Sequence, residues 1–243
     1  MGKEYKIINT PFLLSGEYPS VQAAGFTLEG ITTSPTTQNL TLVKDSFKND
    51  KNKKATKIID NESNYGSKGK ELTLETLLNR LNPSYWERFL GFFTEFKETN
   101  PTGYIFKINS TYRTFKRSAE LKKQSSKNAS PGKSAHNYGL AVDFNLVVPN
   151  GKTLMKSYGK EKWLATGIVD IAKKHKLGWG GNYATYKDYI HFYVKEWSPN
   201  KATKVRGAIN KLYGLGNNPS LSAYIKANPN GLNPKLDINE LLS

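Results

Sequence analysis

The sequence predicts an α+β domain: a small antiparallel sheet that carries a polar site, flanked by helices, with an extension at each end. Three observations lead there. Leu140, Val142 and Phe144 alternate with Ala141, Asp143 and Asn145, the period of a strand with one buried face. Ile190, Phe192 and Val194 alternate with His191 and Tyr193 in the same way. Around these stretches, apolar residues recur at helical spacing over 74–96 and 160–177.

Residues 1–70 differ in composition from the rest of the chain. Short strand-like pieces (Tyr5 to Ile8, Leu40 to Val43) are separated by Thr/Ser/Pro-rich and Lys/Asn-rich runs. They read as an arm suited to docking on a partner. Leu74, Leu77, Leu78 and Leu81 then lie on one helical face. Asn82-Pro83-Ser84 interrupts, and Ser84 with Glu87 fits a capping box, with Asn82 as the other candidate cap. Tyr85, Trp86, Phe89, Phe92, Phe93 and Phe96 make the next helix a core helix. A strand is expected over 104–109 and a short helix over 115–123. Residues 124–133 form a basic loop. A helix follows over 160–177, with Leu164, Ile168, Ile171 and Ala172 buried, His175 in its last turn and Gly178 as its C-terminal stop. Three units result: 1–70, 71–198 and a helical extension, 199–243.

The polar residues of the two alternating stretches share one side of the sheet. His136 precedes Asp143 by seven residues, and Gly139 supplies the turn that brings the imidazole back over the strand. His136, Asp143 and His191 make a plausible ligand set for one catalytic zinc ion, leaving a fourth position for water. Asp188, three residues before His191, is placed to act as general base. Either stretch alone fits a buried His–Asp hydrogen bond equally well. Their combination favours the metal, because an apolar strand rarely carries an unpaired Asp or His.

Ser134-Ala135-His136-Asn137-Tyr138-Gly139-Leu140-Ala141-Val142-Asp143 resembles the S-x-H-x-x-G-x-A-x-D signature of zinc peptidases that cut peptidoglycan peptides. These are the D-alanyl-D-alanine carboxypeptidases and L-alanyl-D-glutamate endopeptidases (LAS-type, many of them phage endolysins). Asp188-Tyr189-Ile190-His191-Phe192 resembles their D-x-x-H-F element, Trp179-Gly180-Gly181 their W-G-G, and Ser110 to Thr114 their S-G-Y-R-S/T. The four motifs keep the family's order over roughly 72–195. The resemblance implies a LAS/hedgehog-type sheet, zinc on His136, Asp143 and His191, and Asp188 as base. It also implies that Arg113 binds substrate carboxylate or the developing oxyanion. Ser134 would support the ligands. The family's usual Gln five residues after the Arg is Ser118 here. Asp at the base position resembles the endopeptidases more than the carboxypeptidases.

Composition narrows the rest. The 243 residues contain no cysteine, so disulfides and thiolate metal sites are excluded. A net charge of +16 favours polyanionic surroundings, yet no nucleic-acid-binding motif is present. No apolar run is long enough for a membrane span or continuous enough for a signal peptide. The expected reading is a wall peptidase acting on the stem peptide in the cell wall or periplasm. It would be delivered in a phage tail or related injection machine, docked through the arm, or released from the host cytoplasm through a holin. The competing expectations are a D-alanyl-D-alanine carboxypeptidase and a non-catalytic wall-binding component.

Overall fold

The computed structural model describes residues 56–198 apart from 67, 101, 102 and 156, together with 201, 203 and 204. Expectations about residues 1–55 and about the extension from 205 onward lie outside the described residues.

Among these, six strands form one sheet: β1 (Lys57–Asp60), β2 (Ile105–Ser110), β3 (Ala141–Val147), β4 (Thr153–Leu154), β5 (Leu177–Trp179) and β6 (His191–Val194). Their order is β1-β2-β3-β6-β5, with β4 also paired to β3. Neighbours are antiparallel except β1 and β2, which are parallel. A parallel pair needs a crossover, and here it contains α1 (Leu74–Leu78) and α2 (Trp86–Thr99). The remaining helices are α3 (Phe115–Gln124), α4 (Lys160–Leu164) and α5 (Ile168–Lys174). The α+β expectation therefore holds, with one parallel edge added. That edge, β1, lies inside the segment read from sequence as an arm.

The strand periods dictate the core. Val142, Phe144 and Leu146 of β3 and Phe192 and Val194 of β6 are buried on one face. The aromatic helix α2 lies across them. Phe144 stacks on Phe192 at 4.9 Å, and Phe92 sits 5.4 Å from Phe192 and Phe93 5.0 Å from Phe106. Each such side chain contributes about 1.5–3 kcal/mol by burial. Leu74, Leu77, Leu78 and Leu81 are all buried, as their spacing predicts.

Three local expectations change. Ser84 caps nothing in α2. Asn82 Oδ1 instead accepts from the Ser84 amide at 3.1 Å and caps a 3₁₀ turn, Pro83–Tyr85, that leads into the helix. The helix expected over 160–177 is two helices. Thr166 Oγ1 donates to the Trp163 carbonyl at 2.7 Å, and Gly167 turns left-handed with φ 72°. The break shifts the helical phase, so Trp163 is buried and Leu164 is 40% exposed. Left-handed Lys176 (φ 56°), not Gly178, turns the chain after α5. Gly178 is in β5, where a Cβ would stand 2.6 Å from the Tyr193 ring. His175 is structural: its Nε2 lies 2.8 Å from Glu95 Oε2 and its ring fills the space over Gly91. No described helix is long and apolar enough to cross a membrane.

Candidate metal centre

Three adjacent strands build a polar row on the face opposite α2. Asp143 of β3 pairs with His191 of β6 on one side and Ser110 of β2 on the other. Ile108 of β2 points into the core. A bulge between Ile108 and Ser110 breaks the alternation and brings Ser110 to the polar face. His136 comes from a 3₁₀ turn, Ala135–Tyr138. Ser134 Oγ accepts from the His136 amide at 3.3 Å, and Gly139 (φ 67°) closes the turn.

The three side chains converge. His136 Nε2 is 3.1 Å from Asp143 Oδ1 and 3.2 Å from His191 Nδ1, and His191 Nδ1 is 2.7 Å from Asp143 Oδ1. One ligand atom from each lies within 4.8 Å of the others. Zinc bonds of about 2.0–2.1 Å in a tetrahedron give ligand–ligand edges of about 3.3 Å. Two imidazole nitrogens and a carboxylate at these spacings fit that ion.

Electrostatics prepare the donors. His136 is 2% exposed, and burial holds it below its ordinary histidine range, Arg113 acting in the same direction. Its Nδ1 is 2.7 Å from the Thr111 carbonyl, which can only accept. Nδ1 therefore carries the proton, and the Nε2 lone pair faces Asp143 and His191. Burial opposes ionisation of Asp143. The adjacent His136 and His191 outweigh it and hold the carboxyl well below the usual carboxylate range.

Arg113 reaches the row from the end of β2. Its Nη2 donates to Ser110 Oγ at 2.9 Å and stands 3.8 Å from Asp143 Oδ2. Asp188 enters from the turn before β6. Its amide donates to Gly180 O, and its carbonyl accepts from His191 N, both at 3.1 Å. A Cβ on Gly180 would collide with the Asp188 carbonyl and lie 3.2 Å from His191 Cβ, and one on Gly181 would strike the Trp179 ring. This is the steric reason for the Trp-Gly-Gly sequence.

Ser118 lies behind the row. It accepts from Asn137 Nδ2 at 2.9 Å, and Asn137 also donates to the Arg113 carbonyl at 2.7 Å. Ser118 thus supports the loop that carries His136 and Arg113.

Sequence reasoning gave no part in the site to Tyr193 or to a group built on Glu62. Tyr193, two residues past His191 on the same strand face, stacks on its ring at 5.3 Å, with Tyr183 6.0 Å from the imidazole. Burial, then Tyr193 and the charges of Asp143 and Asp188, push the Tyr183 phenol up, so it stays protonated as a donor beside the row. The period-two alternation signals Tyr193, and the place of Tyr183 just after Gly180-Gly181 reads from sequence as shaping the approach to Asp188. The second group, Glu62 with Arg80 and Asp60, lies outside every motif.

Comparison with known proteins places this geometry. Residues 127–194 match the family described as D-alanyl-D-alanine carboxypeptidase. The peptidoglycan L-alanyl-D-glutamate endopeptidase CwlK of Bacillus subtilis (strain 168) is 37% identical over 106 residues, covering 38% of this chain. The chain spans 60% of the length of that relative. The crystal structure of Serratia marcescens L-Ala D-Glu endopeptidase ChiX aligns at 21% identity with a TM-score of 0.36, covering 49% of this chain and 84% of that one. His136, Asp143 and His191 all lie within the segment that is similar to this family of peptidases.

Proposed function

We propose that this chain is a zinc peptidase that cleaves the peptidoglycan stem peptide between L-alanine and D-glutamate. The observation that carries the reading is the convergence of His136, Asp143 and His191, with Arg113 and Asp188 bordering the same row. Zinc, when bound, supplies a Lewis acid that polarises the amide and makes water nucleophilic near neutral pH. His136 and His191 would offer ring nitrogens to the ion, and Asp143 the charge that holds it. Asp188 removes the water proton and returns it to the leaving amine. Arg113, a planar donor fork, binds substrate carboxylate or offsets charge on the tetrahedral oxygen. The Tyr183 and Tyr193 rings wall the His191 side.

The choice of bond is supported by the name of the Bacillus subtilis relative and by Asp at position 188. The family description favours a second reading, removal of a terminal D-alanine. Digestion of purified peptidoglycan followed by mass spectrometry separates them. The proposal predicts peptides with a new D-glutamate amino terminus, whereas free D-alanine alone would establish the carboxypeptidase. No product in the presence of zinc would leave only a wall-binding role.

We also propose delivery to the wall as part of a phage tail or related injection machine. The linker-like composition of residues 1–55, suited to docking, supports it. Absence of the chain from purified virions would refute this part alone.

A further inference from the structure

We propose that Glu62 is a positioning residue for the metal centre, acting on His136 through Thr111. The inference rests on the reading of the row as a zinc site. The tautomer of His136 depends on the Thr111 carbonyl, which accepts from Nδ1 at 2.7 Å. Thr111 itself is fully buried and sits just past the end of β2. Both of its other polar groups are held by one side chain. Its amide donates to Glu62 Oε1 and its hydroxyl to Glu62 Oε2, each at 2.8 Å. This two-point grip fixes the residue about its own backbone, and so fixes where its carbonyl aims.

Glu62 is held in turn. Its amide donates to Asp60 Oδ1 at 2.9 Å. Arg80 Nη2 donates to Asp60 Oδ2 at 2.7 Å, while Arg80 Nη1 lies 3.5 Å from Glu62 Oε2. The Arg80 guanidinium sits over the Tyr65 ring, 3.7 Å from its centroid. All three charged residues are buried. Such a chain of support does for His136 what partners beyond the ligands do in metal sites generally: it sets ring orientation and tautomer. The segment that bears Glu62 therefore completes the site, although it precedes every family motif by more than forty residues in sequence.

The test uses the full chain, stripped of metal, and measures zinc affinity by competition with a chromophoric chelator. Two variants are compared. Glu62→Leu removes both acceptors for Thr111. Glu62→Gln keeps an acceptor for the amide and offers its NH₂ to the hydroxyl oxygen. Both abolish the charge facing Arg80, so a purely structural role predicts parallel losses. The proposal predicts that Glu62→Leu weakens zinc binding roughly 10- to 100-fold while Glu62→Gln stays within about threefold. Nitrogen-15 spectra of the metal-free protein should show the Nδ1–H tautomer of His136 in wild type and Glu62→Gln, and a mixture in Glu62→Leu. Equal affinities in folded Glu62→Leu and wild type would overturn the inference and leave the zinc reading standing. A wild-type protein that binds no zinc would overturn both. Should Glu62→Leu fail to fold, Thr111→Val against Thr111→Ser decides: loss in the first and retention in the second upholds the grip, and equal affinity of the two refutes it.

Discussion

Two carboxyl groups, half-buried Asp143 in the polar row and buried Glu62 behind it, shift in opposite directions. Burial disfavours ionisation of both. Asp143 faces two imidazoles at 2.7 and 3.1 Å, and they hold it far below its ordinary range. Glu62 has two donors on Thr111 and an arginine at 3.5 Å, but Arg80 is engaged more closely by Asp60, and burial wins, pushing Glu62 up to about 7. Asp143, the proposed ligand, is kept charged by the two imidazoles that share its site. A carboxyl that only needs to grip a backbone can sit where its charge is barely tolerated.

The sharpest way to break the row is to remove a ligand. His136→Ala should abolish peptidoglycan hydrolysis and reduce bound zinc well below one per chain, because a three-ligand site cannot spare one. Metal analysis alongside a hydrolysis assay checks this, and stoichiometric zinc in the variant would contradict the ligand assignment. Removing the base should separate binding from chemistry. Asp188→Asn should keep zinc and lower kcat by roughly two to four orders of magnitude. Loss of zinc instead would make Asp188 a ligand.

The network should break differently. Arg80→Ala leaves Asp60 and Glu62 buried without their cation, and should destabilise the fold by about 3–5 kcal/mol in urea unfolding. An unchanged midpoint would mean that the two acids are compensated elsewhere.

Acid–base linkage sharpens the comparison further. Glu62 binds its proton more tightly folded (about 7) than unfolded (4.5). Its contribution to stability is therefore full below pH 4.5 and falls by about 3 kcal/mol as pH rises to 7. His136 is shifted the other way: its folded pKa lies below 6.5, so stability from it rises as pH climbs through 6.5 and is lost on acidification. Asp143 adds stability above pH 3.8 that disappears as pH falls toward its depressed folded value. Glu62→Gln cannot ionise there, so the metal-free variant should gain stability relative to wild type between pH 5 and 8. Parallel pH–stability curves for the two proteins would show that Glu62 does not titrate in this window.

The ligand row is legible in the sequence, and the network is not, for a physical reason. Alternation of Leu140, Val142 and Phe144 with Asp143 fixes which face the carboxylate occupies, and the same pattern places His191. Strand period is local, so the sequence displays it. Glu62, Arg80 and Thr111 are joined across the sheet from three separate segments, and their own neighbours carry no periodic signal. β1 reads as part of the polar arm because four residues, Lys57 to Asp60, are too few to outweigh the charged runs before them. Its pairing with β2 is stabilised by contacts that no window of sequence contains. The split of the 160–177 helix has a similar origin: Thr166 and Gly167 are tolerable in a helix by propensity, and the buried Trp163 settles the phase.

The proposed hydrolysis depends on the row being a metal centre. Crystals of the full chain grown with zinc, measured on both sides of the zinc absorption edge, test that directly. The predicted result is one strong anomalous peak per chain, about 2.0–2.2 Å from His136 Nε2, an Asp143 oxygen and His191 Nδ1. No peak at the row, or zinc held only elsewhere, would contradict it.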